Sequence, residues 1–145
     1  MRFKHIALLL CSFVISCSSI SPTEIAFLKV ARPEMDAATK AMQSLGDLRG
    51  DALRQAVISA AEVARESLSK INETEASKLQ QELKNNLREC LAYEAELLDG
   101  VLNVIDGKVR AETVTPMQTT VEISCGKAED ELRRDIARVG ESNLR

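Results

Sequence analysis

Residues 115–139 read TPMQTTVEISCGKAEDELRRDIARV. Within them Met117, Val121, Cys125, Ala128, Leu132, Ile136 and Val139 recur at steps of 4, 4, 3, 4, 4 and 3. That period puts all seven on one face of an α-helix and most charged residues on the other. Thr115-Pro116-Met117-Gln118 has the form of a helix start, with a capping threonine, proline in the first turn and a glutamine to reach back. On the wet side, Glu129–Arg133, Asp130–Arg134 and Lys127–Glu131 are spaced i,i+4, each worth roughly 0.2–0.5 kcal/mol. A hairpin through Val109–Thr113 and Thr119–Ile123, which carry β-branched residues, competes. The long stripe outweighs it, and a helix is expected here.

The same period runs through three earlier segments. Ser21-Pro22-Thr23-Glu24 is a strong helix start, followed by a stripe of Leu28, Ala31, Met35, Ala38, Met42 and Leu45. Pro33 falls opposite that stripe and predicts a kink or a fresh helix. A turn follows at Gly46–Gly50. Asp51 is expected to cap a second helix to about Ile71, with Leu53, Val57, Ala61, Ala64, Leu68 and Ile71 inward. Alanines 56 and 60 beside them allow close helix approach. Asn72-Glu73-Thr74-Glu75 makes the next turn; Asn72-x-Thr74 is formally a glycosylation acceptor and is read as capping chemistry.

A third helix is expected from about Glu75 to Asp99, with Leu79, Leu83, Leu87, Cys90, Leu97 and Leu98 inward. Glu94 falls near this stripe and is expected at its edge, reaching water, with a functional buried acid as the alternative. Gly100 and Gly107 bracket Val101–Asp106, which either extends the helix or forms a separate piece. Residues 22–145 are therefore expected to form an all-α, four-helix, up-and-down bundle.

Cys90 and Cys125 lie on the inner faces of the third and fourth helices. With a break at Asp99 and a start at Pro116, each is nine residues from the turn, so an antiparallel pair puts them level. The loop-entropy model assigns such a bridge about 3–4 kcal/mol. A helix continuing to Asp106 would offset them by about seven residues, roughly 10 Å, too far to bridge. The disulfide is thus expected together with a break near Gly100. A structural role is expected, because two cysteines 35 apart are not a Cys-x-x-Cys redox motif.

At the N-terminus, Arg2 and Lys4 precede a mostly apolar run from Ile6 to Ser16, and then Cys17. A run of about eleven residues cannot cross a hydrocarbon core of roughly 30 Å as a helix, and it has the form of an export signal. Its end, Val14-Ile15-Ser16-Cys17, resembles the lipobox of bacterial lipoproteins, an aliphatic residue three before the cysteine and a small one just before it. Cys11 is a poor rival because bulky Leu10 precedes it. The resemblance implies that residues 1–16 are a signal peptide, that Cys17 becomes the acylated N-terminus, and that residues 17–21 are a tether. In a Gram-negative host it also implies an outer-membrane anchor facing the periplasm, since Ser18 stands where a retention signal has aspartate. An ordinary secretory signal with a coincidental cysteine is the competing interpretation. Several acyl chains, at ~0.8 kcal/mol per buried CH₂, would hold the protein on a membrane permanently.

Cleavage there would leave 129 of 145 residues, enough for one domain, with 17 basic groups against 22 acidic, a balance of −5. Mixed charges of this kind argue against nucleic acid as a partner. His5, the one histidine, would leave with the signal, and Phe27 and Tyr93 would be the remaining aromatics. A chain without histidine has no Ser-His-Asp or Cys-His arrangement and no histidine-ligated zinc or haem. No catalysis, cofactor or metal site is expected.

The function expected is a membrane-anchored, non-enzymatic adaptor for a protein of the cell envelope. In size and architecture, though in no motif, such a chain is similar to the pilotins of secretion systems. Ile25, Phe27 and Val30 are candidate docking residues, because Ile25–Val30 is apolar on more than one face. Packing of that segment under Val101–Ile105 is an equal expectation. The alternatives are a carrier of an apolar ligand lined by Met35, Met42 and Met117, or an inhibitor or immunity-type protein against an envelope-attacking enzyme.

Overall fold

A computed structural model describes residues 19–145; residues 1–18, with the signal segment and Cys17, lie outside the described range. The described chain holds four α-helices, α1 (Pro22–Gln43), α2 (Gly50–Glu73), α3 (Gln81–Ile105) and α4 (Thr115–Val139). Short 3-10 turns occur at Lys78–Gln80, Ala111–Thr113 and Glu141–Asn143, and no strand occurs among the described residues. Each helix packs on the next and α1 also meets α4, making a helical bundle.

α1 starts as its residues predict. Glu24 N donates to Ser21 Oγ at 3.2 Å, and Ser21 N donates to Glu24 Oε2 at 2.7 Å. Pro33 does not start a fresh helix; α1 runs through it as one helix. Pro33 and Lys29, whose carbonyl loses its i+4 donor, both lie on the exposed side, where water is available to that carbonyl. α2 is not capped by Asp51. The chain enters it through Gly50 at φ +59°, a conformation glycine takes without steric cost, and Asp51 falls inside the first turn. Thr74 closes α2 by donating its hydroxyl to the Lys70 carbonyl at 2.7 Å.

α3 is displaced from its expected span. Residues 74–80 form a turn, and the helix continues through Gly100 to Ile105. The break near Gly100 is absent, yet the Cys90 and Cys125 sulfurs lie at disulfide distance, with Cα atoms 4.7 Å apart. The two expectations were coupled by assuming that α4 starts level with the end of α3. Instead, residues 106–114 bring α4 back beside Gly100. A Cβ on Gly100 would lie 2.9 Å from Val114 Cγ1 and 3.3 Å from Met117 Sδ. Gly100 is therefore a contact point, not a stop. The α4 start is also uncapped: Thr115 is already helical, and Gln118 N donates to the Val114 carbonyl at 3.0 Å. Lys127 and Glu131 do not pair along α4; both reach Asn86 on α3.

The main core contains Phe27, Leu28, Ile71, Leu87 and Leu91, all fully buried. Burial contributes roughly 1.5–3 kcal/mol for each such large side chain. A second cluster, Val57, Ala60, Ala61 and Leu98, receives the half-buried Val101, Leu102 and Ile105 beyond Gly100. Near the other end of α1, buried Glu24 pairs with Arg138 at 2.6 Å, and Gln80 donates to the Glu24 carbonyl and to Asp135. Lys29 reaches the Arg145 carbonyl and Arg32 pairs with Glu141, so the C-terminal residues are strapped to the first half of α1.

Candidate functional site

Cys90 and Glu94 stand one turn apart on the inner face of α3, and Cys125 meets them from α4. Glu94 is 5% exposed, so it is not at the helix edge as expected. Its Oε1 lies 3.7 Å from Cys125 Sγ, and its Oε2 has no hydrogen-bond partner. A bridged sulfur has no hydrogen to donate, so a hydrogen bond here needs the proton on the carboxyl. Burial, and then the carboxylate of Glu129, push the Glu94 carboxyl from 4.5 to about 7. A substantial fraction is protonated at neutral pH. The signal for this was present in the stripe: 94 is the position that fills the gap between Cys90 and Leu97–Leu98.

Glu129 also borders a groove of about 700 Å³ between α1 and α4. Its apolar lining is Met35, Leu132 and Ile136, of which Met35 and Leu132 are nearly buried and Ile136 is partly exposed. Its charged rim includes Asp36 and Lys40 of α1 and Arg133 of α4. The groove exists because α1 meets α4 less extensively than it meets α2. No linear pattern in the chain could reveal that difference.

The other expected site residues are placed as follows. Phe27 is 0% exposed, and Ile25 and Val30 pack half-buried against the main core. Phe27 therefore offers no surface to a partner, while Ile25 and Val30 keep part of theirs exposed. Of the Val101–Ile105 segment, Val101 packs on the same main core as these residues, whereas Leu102 and Ile105 pack on the second core with Met42 and Leu45. Of the three methionines, Met35 lines the groove, Met42 bridges the two cores, and Met117 lines a separate cavity of about 210 Å³ beside Tyr93. They do not form one pocket. No family model matches the chain, and no curated protein or solved structure matches it either.

Proposed function

We propose that this chain is a membrane-anchored lipoprotein of the cell envelope that acts as a non-enzymatic adaptor, taking a helix of a protein partner into the α1–α4 groove. The groove is the observation that carries the proposal. Its lining of Met35, Leu132 and Ile136 is apolar, and its rim offers charges of both signs to set the register of an amphipathic helix. The lipobox-like Val14-Ile15-Ser16-Cys17 supplies the anchor, with residues 1–16 removed and the body held on the periplasmic side of the outer membrane in a Gram-negative host. Alternating helix directions, the up-and-down order, are supported by Arg54–Asp106 and Arg65–Asp99 pairing across α2 and α3. The similarity to pilotins remains one of size and architecture.

A photo-crosslinker at Thr39 or Arg133, on the groove, tests this in intact cells, with Glu62 on the exposed side of α2 as the control. Adducts with one envelope protein from both groove positions and none from Glu62 are expected. Absence of groove adducts, or equal adducts from Glu62, would sink the proposal. The same apolar lining favours a second interpretation, an acyl-chain carrier. Mass spectrometry of lipid extracted from the purified protein distinguishes it.

A further inference from the structure

We infer that Cys90, Glu94 and Cys125 form a redox-gated site for a divalent metal of the zinc class, closed by the disulfide and opened by its reduction. The two sulfurs and a Glu94 carboxylate oxygen all lie within 4.8 Å of one another. Ligand atoms around a tetrahedral zinc are roughly 3.5–4 Å apart. Side-chain rotation therefore suffices once the S–S bond is broken. Two residues at i,i+4 project from the same face of a helix, and Cys90 and Glu94 have that spacing on α3. Cys125 and Glu129 repeat it on α4. Glu129 lies outside the tight cluster, at the groove, so the fourth position would fall to a water. Sulfur with carboxylate suits zinc or cobalt, whereas calcium and magnesium require more oxygens than this seam provides.

The second observation is Glu94 Oε2, buried on a residue more than nine-tenths covered and without a partner. A buried polar atom left so is costly, and a bound cation would satisfy it. Opening needs a dithiol reductant, whose two S–H bonds become one S–S bond as the Cys90–Cys125 bond becomes two S–H groups. Two electrons and two protons pass to the cysteines. Metal entry then releases both thiol protons and, where present, the carboxyl proton to solvent. In an oxidising compartment the bridged form is the resting one.

The test is an anaerobic titration of the reduced and the bridged chain with Co²⁺ alone, followed by displacement with Zn²⁺. The reduced chain should bind one ion with sulfur-to-cobalt charge-transfer and tetrahedral ligand-field bands, and the bridged chain none. Reduced Glu94→Gln should bind at least tenfold more weakly, with helical circular dichroism unchanged. If reduction unfolds the chain, Zn²⁺ should restore its helical signal and raise Tm. No binding by the reduced chain, equal binding by the bridged chain, undiminished affinity in E94Q, or unfolding that zinc does not reverse would overturn the inference.

Discussion

Glu94 stands on a helix face whose other members, Leu87, Cys90, Leu91, Leu97 and Leu98, are apolar or sulfur. Its carboxyl is raised to about 7, so the folded chain holds the proton more tightly than the unfolded one. The resulting stability is complete below about pH 4.5 and is lost as pH rises through about 7, on the order of 3 kcal/mol in all. Glu24 has the opposite sign. The Ser21 amide, and then Arg138, hold its carboxyl below the ordinary range against the effect of burial. Its contribution is present above the ordinary carboxylate pKa and fades as pH falls through the lowered one. Denaturant titrations from about pH 2 to 8 should therefore show wild-type stability rising out of the acid range and then declining toward neutrality. Glu94→Gln should flatten that decline and leave the acid limb unchanged; an equal decline in both would contradict the assignment to Glu94.

Two glycines make a matched pair. At Gly126 nothing lies within 4 Å of an added Cβ, so Gly126→Ala should stabilise by up to about 1 kcal/mol through helix propensity alone. At Gly100 the same gain is offset by a clash with Val114 at 2.9 Å, from a short and stiff side chain. Overpacking of this kind costs about 1–3 kcal/mol. Gly100→Ala should lower Tm where Gly126→Ala raises it, and calorimetry of the two variants decides whether Gly100 is a contact.

At the scale of elements, the helical stripes were legible because a buried face constrains residue type once in every three or four positions. Leu28 to Ala38, Val57 to Ala64 and Val121 to Val139 all point inward as their spacing predicts. Helix ends were less legible. Asp51 and Thr115 carry capping chemistry that the folded chain does not use, because Gly50 and the turn at 111–113 set those entries first. The length of α3 was illegible for a related reason: whether a helix stops at a glycine depends on what packs against that glycine. The bridge nevertheless met its expectation, since α4 begins beside Gly100 in either case. Replacing both Cys90 and Cys125 by alanine should cost about 3–4 kcal/mol while leaving the helical content intact. Chemical denaturation of the double variant, beside non-reducing mass spectrometry showing Cys90 joined to Cys125, checks both points.

For the whole molecule, no helix among the described residues is long and apolar enough to cross a membrane. Membrane attachment on the present proposal therefore falls to Cys17. Cys17→Ser should abolish palmitate labelling and release the protein from the membrane fraction, with the bundle's thermal transition unchanged. Labelling that survives the substitution would remove the anchor. The groove was beyond sequence analysis because it is a gap between α1 and α4, and single-chain periodicity reports which faces are covered, not how closely two covered faces approach. Phe27 illustrates the converse. Its segment is apolar on several sides, yet Phe27 and Leu28 are interior while Ile25 and Val30 stay partly exposed.

The strap that joins Arg145 to Lys29 and Glu141 to Arg32 governs how the protein can be handled. It holds Arg145 beside the first half of α1. If Cys17 is the anchor, as proposed, a fluorescent domain fused after Arg145 would compete for space with the membrane near the start of α1. An epitope inserted at Gly107, in the turn between α3 and α4, has open space around it. Antibody access to the two placements on intact spheroplasts would report directly which way up the protein stands.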